Sequence, residues 1–138
     1  MGLVLDTSII IAAERRAGDF ARFLDSWGEE AVAIAAITAS EVLHGCLRTR
    51  DAAVRARRGA FVEALLDAIP VLPFGLPEAR RHADLWAELM KRGTMIGPHD
   101  LLVAATALAH GHALATLNRR EFARVPGLVL RQWAEGAR

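Results

Sequence analysis

The chain begins Met1-Gly2-Leu3-Val4-Leu5-Asp6-Thr7-Ser8-Ile9-Ile10, and this stretch decides the fold. Leu3-Val4-Leu5 is a continuous apolar run, the pattern of a central strand buried on both faces. The run stops at an acid followed by two hydroxyls. Ser8 is placed to cap a short helix through Ile9, Ile10 and Glu14. A buried strand running straight into a helix is the first half of a parallel β–α–β unit.

The same alternation recurs further along. Asp19 is expected to cap a second short helix over Phe20 to Trp27. Ala31 to Ile37 reads as another buried strand, and Thr38-Ala39-Ser40-Glu41 has the capping-box spacing, which opens a helix at Thr38. Asp51 to Ala68 is helical, and Ile69-Pro70-Val71-Leu72 is a Pro-marked edge strand. Pro77 begins a helix to Arg92, and Gly93 and Gly97 punctuate a loop before Pro98 opens an apolar helix. Ala113-Leu114-Ala115-Thr116 is a last core strand and Leu128-Val129-Leu130 an edge strand. The expected architecture is one α/β domain over residues 1–138, with a mostly parallel central sheet flanked by helices on both faces. In such folds ligands bind outside the carboxyl ends of the strands.

Composition narrows the function classes. At 138 residues and 53% hydrophobic, the chain can bury a core within one domain, and disorder is excluded. A single cysteine, Cys46, excludes a disulfide framework and a Cys-based zinc site and suits a reducing cytoplasm. The N-terminus lacks a basic targeting region, and the longest apolar run, Leu101 to Ala109, falls short of the roughly 20 residues of a bilayer span. A cytoplasmic protein with no membrane partner is the expectation. Basic and acidic residues number 17 and 16, a net charge of +1, which excludes the strongly basic class of nucleic-acid binder. All the basic residues except Lys91 are Arg, a bias that gene base composition produces but that also supplies the planar fork suited to phosphate.

Four acids map to one rim of the expected sheet. Asp6 follows the first strand, and Glu41 lies in the first turn of the helix after the second. Asp100 lies in the first turn of the Pro98 helix, and Glu121 follows the last core strand. Each has a structural explanation alone: Glu41 as a capping-box partner, Asp100 as a helix N-terminal acid, Asp6 as a cap, Glu121 as a solvated loop acid. Together they would repel one another unless a cation fills the pocket. Oxygen-only ligands point to Mg²⁺ or Mn²⁺ rather than zinc, and a carboxylate-held divalent ion suits phosphodiester hydrolysis. Val42, Leu43, Cys46 and Leu47 form an apolar stripe from which Glu41 projects away, free to line a cleft. No Walker loop, GxGxxG or Asp-x-Asp motif offers another phosphate chemistry.

These residues resemble a known family. Leu5-Asp6-Thr7-Ser8, Ile37-Thr38-Ala39-Ser40-Glu41-Val42, Ile96-Gly97-Pro98-His99-Asp100 and Thr116-Leu117-Asn118-Arg119-Arg120-Glu121-Phe122 are similar in order and spacing to the motifs of PIN domains, and in total length to VapC-type toxins. The resemblance implies a metal-dependent endoribonuclease in which Asp6, Glu41 and Asp100 form the acidic site. Asp6 and Asp100 would bind Mg²⁺ or Mn²⁺ and activate water for RNA cleavage. Thr7, Ser8, Thr116 and Asn118 would orient the carboxylates. It implies a VapB-type antitoxin that inserts a basic side chain among the acids, and a homodimer. Two positions depart from the family pattern: Glu121 stands where Asp is usual, and Leu117 where a basic residue often occurs. Glu121 is the one feature favouring the alternative, a non-catalytic PIN scaffold that binds RNA or protein.

Other features have two readings. Arg48, Arg50, Arg55, Arg57 and Arg58 form either a solvated helix face or a set of phosphate contacts, with Arg48, Arg50 and Arg55 the candidates for RNA. His99 and His44 adjoin the acids, although structural or surface roles suit both. His110 and His112 flank Gly111 at a helix end. Cys46 reads as an inert core thiol, and Trp27, Trp86 and Trp133 as packing residues.

Overall fold

Apolar side chains on both faces place Leu3–Leu5 (β1) at the centre of a five-stranded sheet. The computed structural model describes residues 1–16 and 20–133. Beyond β1 the chain forms α1 (Thr7–Arg16), α2 (Phe20–Asp25), β2 (Val32–Ala35), α3 (Ala36–Leu47) and α4 (Ala52–Ala68). Then come β3 (Val71–Leu72), α5 (Leu76–Arg92), α6 (Pro98–Ala109), β4 (Ala113–Ala115), α7 (Arg119–Phe122) and β5 (Leu130–Arg131). The strand order is β3-β2-β1-β4-β5 and every pairing is parallel. The sheet therefore reverses direction of growth at β1, between β2 on one side and β4 on the other. That switch point is where an open α/β sheet forms a crevice.

Side chains alternate across each strand, so the two faces build separate cores. Leu3, Leu5 and Ile34 face a cluster with Ile9, Phe23, Trp27, Val62, Leu65 and Trp133. Val4, Ala35 and Leu114 face Leu85, Leu89, Val103, Ala104 and Phe122. Trp27 and Trp133 stack at 6.3 Å between ring centroids, and the Trp133 indole donates to Ser26 Oγ at 3.0 Å. Trp86, by contrast, is half exposed and packs only at the surface, against the His82 ring at 5.6 Å.

Several boundaries differ from expectation. Helix α1 starts at Thr7 and its cap is Asp6, not Ser8: Ile9 N–H donates to Asp6 Oδ1 at 3.3 Å. Asp19, expected as a cap, lies outside the described residues. Helix α3 starts at Ala36, directly off β2, and Ala35 gives it no side-chain cap. Thr38 is wholly buried against the core, so no capping box forms and Glu41 lies in the second turn rather than the first. The buried face of α3 is Thr38 and Val42 with Ala39 and Cys46 against it, while Leu43 and Leu47 are exposed. Burial pushes the Cys46 thiol up, in keeping with an unreactive role. Helix α5 starts at Leu76, one residue before Pro77, because Glu78 accepts a bond from Gly75 N–H at 2.8 Å and makes Gly75 the cap. The final strand is Leu130–Arg131 rather than Leu128 to Leu130, and α7 is a further short helix beyond those expected. Among the described residues, no helix is long and apolar enough to cross a membrane.

Candidate active site

Parallel pairing of β1 with β4 matches Leu5 to Ala115, so the next residues, Asp6 and Thr116, emerge side by side at the switch point. Thr116 Oγ1 donates to Asp6 Oδ2. Ser8 Oγ and Ile9 N–H both donate to Asp6 Oδ1. These hydroxyls are themselves fixed: Thr116 Oγ1 accepts from Asn118 N–H at 2.9 Å, and Ser8 Oγ accepts from Leu117 N–H at 3.0 Å. Asp6 is only 5% exposed, and burial raises its carboxyl above the ordinary range although the hydrogen bonds it accepts oppose that.

Helix α3 brings Glu41 to the same rim. Its Oε1 accepts from Thr7 Oγ1 at 2.5 Å, and its Oε2 lies 2.9 Å from His99 Nδ1. The first turn of α6 supplies His99 and Asp100, and α7 supplies Glu121. Gly97 N–H donates to Glu121 Oε2 at 3.2 Å. A Cβ on Gly97 would stand 3.5 Å from Glu121 Oε2 and 3.8 Å from Asp100 Oδ2, so the bare backbone sits against both carboxylates. Arg124 donates to Met95 O at 2.8 Å, which ties the loop before α6 to the end of α7.

The four acids repel one another. Asp100 is pushed up from 3.8 to about 7 by burial, by a hydrogen bond with Glu121 and by the charges of Glu121, Asp6 and Glu41. Glu121 is correspondingly lowered, chiefly because the Asp100 proton is donated to it. In the metal-free protein the Asp100–Glu121 pair therefore keeps a proton well above the ordinary carboxylate range. Folded Asp100 binds more protons than unfolded Asp100 between 3.8 and about 7, so its contribution to stability falls as pH rises through that window. Asp100→Asn keeps a donor for Glu121 without the charge. It is expected to flatten the fall in Tm between pH 5 and pH 8 in EDTA; parallel melting curves for the two proteins would contradict this.

The structure thus brings Asp6, Glu41, Asp100 and Glu121 together with the hydroxyls of Thr7, Ser8 and Thr116. Asn118 takes part through its main-chain N–H rather than its side chain. Of the arginines, Arg48 lines the adjoining cleft, whereas Arg55 is turned onto Thr49 O at 2.6 and 2.8 Å and Arg50 does not line it. His99, noted from the sequence as adjoining the acids but read as structural or surface, meets Glu41 at this site. Arg15, on α1, also lines the cleft, and no sequence signal marks it. His110 pairs instead with Glu78 at 2.8 Å, and His112 accepts from Gly2 N–H, both apart from the acids in role. Among the described residues no three His, Cys, Asp or Glu side chains form a ready-made metal cage. Asp6, Glu41, Asp100 and Glu121 offer carboxylate oxygens, which fits a hard cation held by two carboxylates and completed by water or phosphate.

The PIN domain profile matches residues 3–128. Ribonuclease VapC1 of Rickettsia felis is 40% identical over 129 residues, 93% of this chain and 93% of that protein. The tRNA(fMet)-specific endonuclease VapC of Salmonella typhimurium is 28% identical over 130 residues, 94% of this chain and 96% of that one. Among solved structures, a chain of the DNA-bound VapBC of Salmonella typhimurium superposes with a TM-score of 0.85 at 28% identity, covering 96% of this chain and 98% of that chain. A chain of VapBC2 of Rickettsia felis, bound to a DNA fragment from its promoter, gives 0.83 at 25% identity, with 96% and 99% covered. With a profile spanning nearly the whole chain and a 40% identical relative of matching length, the chain belongs to the PIN domain family, among the VapC ribonucleases.

Proposed function

We propose that this chain is an endoribonuclease toxin that hydrolyses RNA phosphodiester bonds with Mg²⁺ or Mn²⁺, and that a VapB-type antitoxin neutralises it. The observation that carries the reading is the convergence of four carboxylates at the sheet's switch point, where burial, the hydrogen bond with Glu121 and the neighbouring charges push Asp100 up to about 7. Asp6 and Asp100 would hold the cation. When bound, a divalent ion supplies the charge that makes water nucleophilic at neutral pH and offsets charge building on the phosphate. The chain's own groups prepare for it. Ser8 and Thr116 fix both oxygens of Asp6, and Thr7 and His99 fix both oxygens of Glu41. Ionised Glu121 accepts a hydrogen bond from the Asp100 carboxyl, and the proton kept on Asp100 reduces the pocket's charge in the metal-free state.

The similar structures are VapBC complexes, one of them from a family of toxin-antitoxin systems, which supports an antitoxin partner for this chain. An arginine from such a partner would pair the carboxylates and compete with metal. A homodimer is part of the same reading, supported by the exposed apolar side chains of Trp86 and Met90 on α5. The direct test is cleavage of single-stranded RNA by the purified chain with Mg²⁺, with Mn²⁺ and with EDTA. Cleavage with either metal and none in EDTA is expected. Cleavage that persists in EDTA overturns the metal role, and RNA binding without cleavage under any condition points to a non-catalytic scaffold.

A further inference from the structure

A cleft of about 380 Å³ leads away from the carboxylates between α1 and α3. One wall carries Thr7, Ile11 and Arg15, spaced four residues apart on one face of α1; the other carries Glu41, Gly45 and Arg48 on one face of α3. The cleft therefore has an acidic end, where Thr7 and Glu41 meet, and a basic end at Arg15 and Arg48. Along α3 the two ends are about 10.5 Å apart, at 1.5 Å of rise per residue. Arg15 and Arg48 are exposed, and their side chains make no hydrogen bond or ion pair among the described residues. The third arginine of the cleft, Arg58, is engaged by Glu14 at 3.5 Å and Thr49 Oγ1 at 3.0 Å, which also pairs the acid next to Arg15 on α1.

Between the ends the cleft is apolar and open. Ile11 is 42% exposed, and a Cβ on Gly45 would meet nothing within 4 Å. Glycine is unfavourable inside a helix, and no neighbour here requires it. Its effect is to leave the space over α3 empty.

We infer that the cleft holds the RNA strand, with Arg15 and Arg48 gripping a phosphate that flanks the scissile one; this rests on the ribonuclease reading above. A polyanion approaching four carboxylates needs cationic contacts away from the cation that serves the reaction. Two unengaged guanidinium groups at the end of the groove away from the carboxylates match a chain whose charges recur at every nucleotide. The apolar stretch between the carboxylates and the arginines accepts a base or ribose without selecting its identity.

The experiment is steady-state cleavage of a fluorescein-labelled single-stranded oligoribonucleotide in Mg²⁺ at several salt concentrations. For Arg15→Gln/Arg48→Gln, loss of charge-assisted hydrogen bonds raises KM by about tenfold with kcat nearly unchanged. The salt dependence becomes shallower by about 0.7 in log–log slope, the value for a single strand on which one phosphate is no longer neutralised. Gly45→Leu retains every charge but fills the cleft, and raises KM without changing the slope. If the wild type cleaves and both variants keep its KM, the inference is overturned; a groove that serves a protein segment gives that result. If the wild type does not cleave, the ribonuclease reading fails separately. Anisotropy of the same oligonucleotide then reads the cleft directly, and equal Kd values for wild type and the double variant overturn it. Melting curves of both variants check that the fold is retained.

Discussion

Asp6→Asn is expected to lower metal-dependent RNA cleavage by at least about 10³-fold, the several kcal/mol that a bound cation supplies to such a reaction. The substitution is nearly isosteric. Asn Oδ1 can still accept from Ser8 and from Ile9 N–H, and Asn is as good a helix cap as Asp, so α1 keeps its start. Thr116 Oγ1 has two lone pairs and can accept from the new amide as well as from Asn118 N–H. The Tm should therefore move by no more than about 5 °C, the equivalent of roughly 1 kcal/mol in a domain of this length. Loss of cleavage at unchanged fold separates a functional charge from a structural one. Full activity in the variant would place the reaction elsewhere, and an unfolded variant would make Asp6 chiefly a cap.

The legibility of the site tracks how local each determinant is. Asp6 is readable because a three-residue apolar strand ends on it, and parallel alternation then puts its neighbour at the end of another core strand. Glu41 reads onto the right helix but the wrong turn. Thr38-x-x-Glu41 imitates a capping box, whereas α3 begins two residues earlier on an alanine that leaves no sequence signature. The same shift displaces the apolar stripe: with Thr38 facing the core, Val42 follows it inward and Leu43 and Leu47 turn to solvent. The His99–Glu41 contact joins residues 58 apart on two helices, and nothing in either segment announces the other. Arg15 has the same difficulty, because its face becomes a cleft wall only once α1 and α3 lie together.

The near-zero net charge gains a physical meaning from this arrangement. Acids are concentrated at the switch point, and unengaged arginines stand at the far end of the adjoining cleft. A field that changes sign along one groove can orient a strand, where a uniformly basic surface would only attract it. Composition alone excludes a non-specific polyanion binder; it does not bear on a site with its own internal polarity.

Thr116→Val and Thr38→Val should change stability in opposite directions, although both replace a buried threonine by a residue of the same shape. Thr116 Oγ1 donates to Asp6 and accepts from Asn118 N–H, so its removal leaves a buried carboxylate oxygen and an amide without partners. That loss should destabilise the fold by about 1–3 kcal/mol. The groups that orient a metal ligand commonly govern its affinity, so a further drop of about 10–100-fold in Mg²⁺ affinity and in cleavage is expected, restored by Thr116→Ser. Thr38 Oγ1 is equally buried but has no hydrogen-bond partner. Replacing it by a methyl group removes an unsatisfied polar atom and should stabilise the fold by about 1 kcal/mol, with activity unchanged. Chemical denaturation gives both free energies, and isothermal titration with Mg²⁺ gives the affinity. If Thr116→Val binds Mg²⁺ as tightly as wild type, Asp6 is held in place by Ser8 and the helix N-terminus alone, and the β4 end of the switch point serves the fold rather than the reaction.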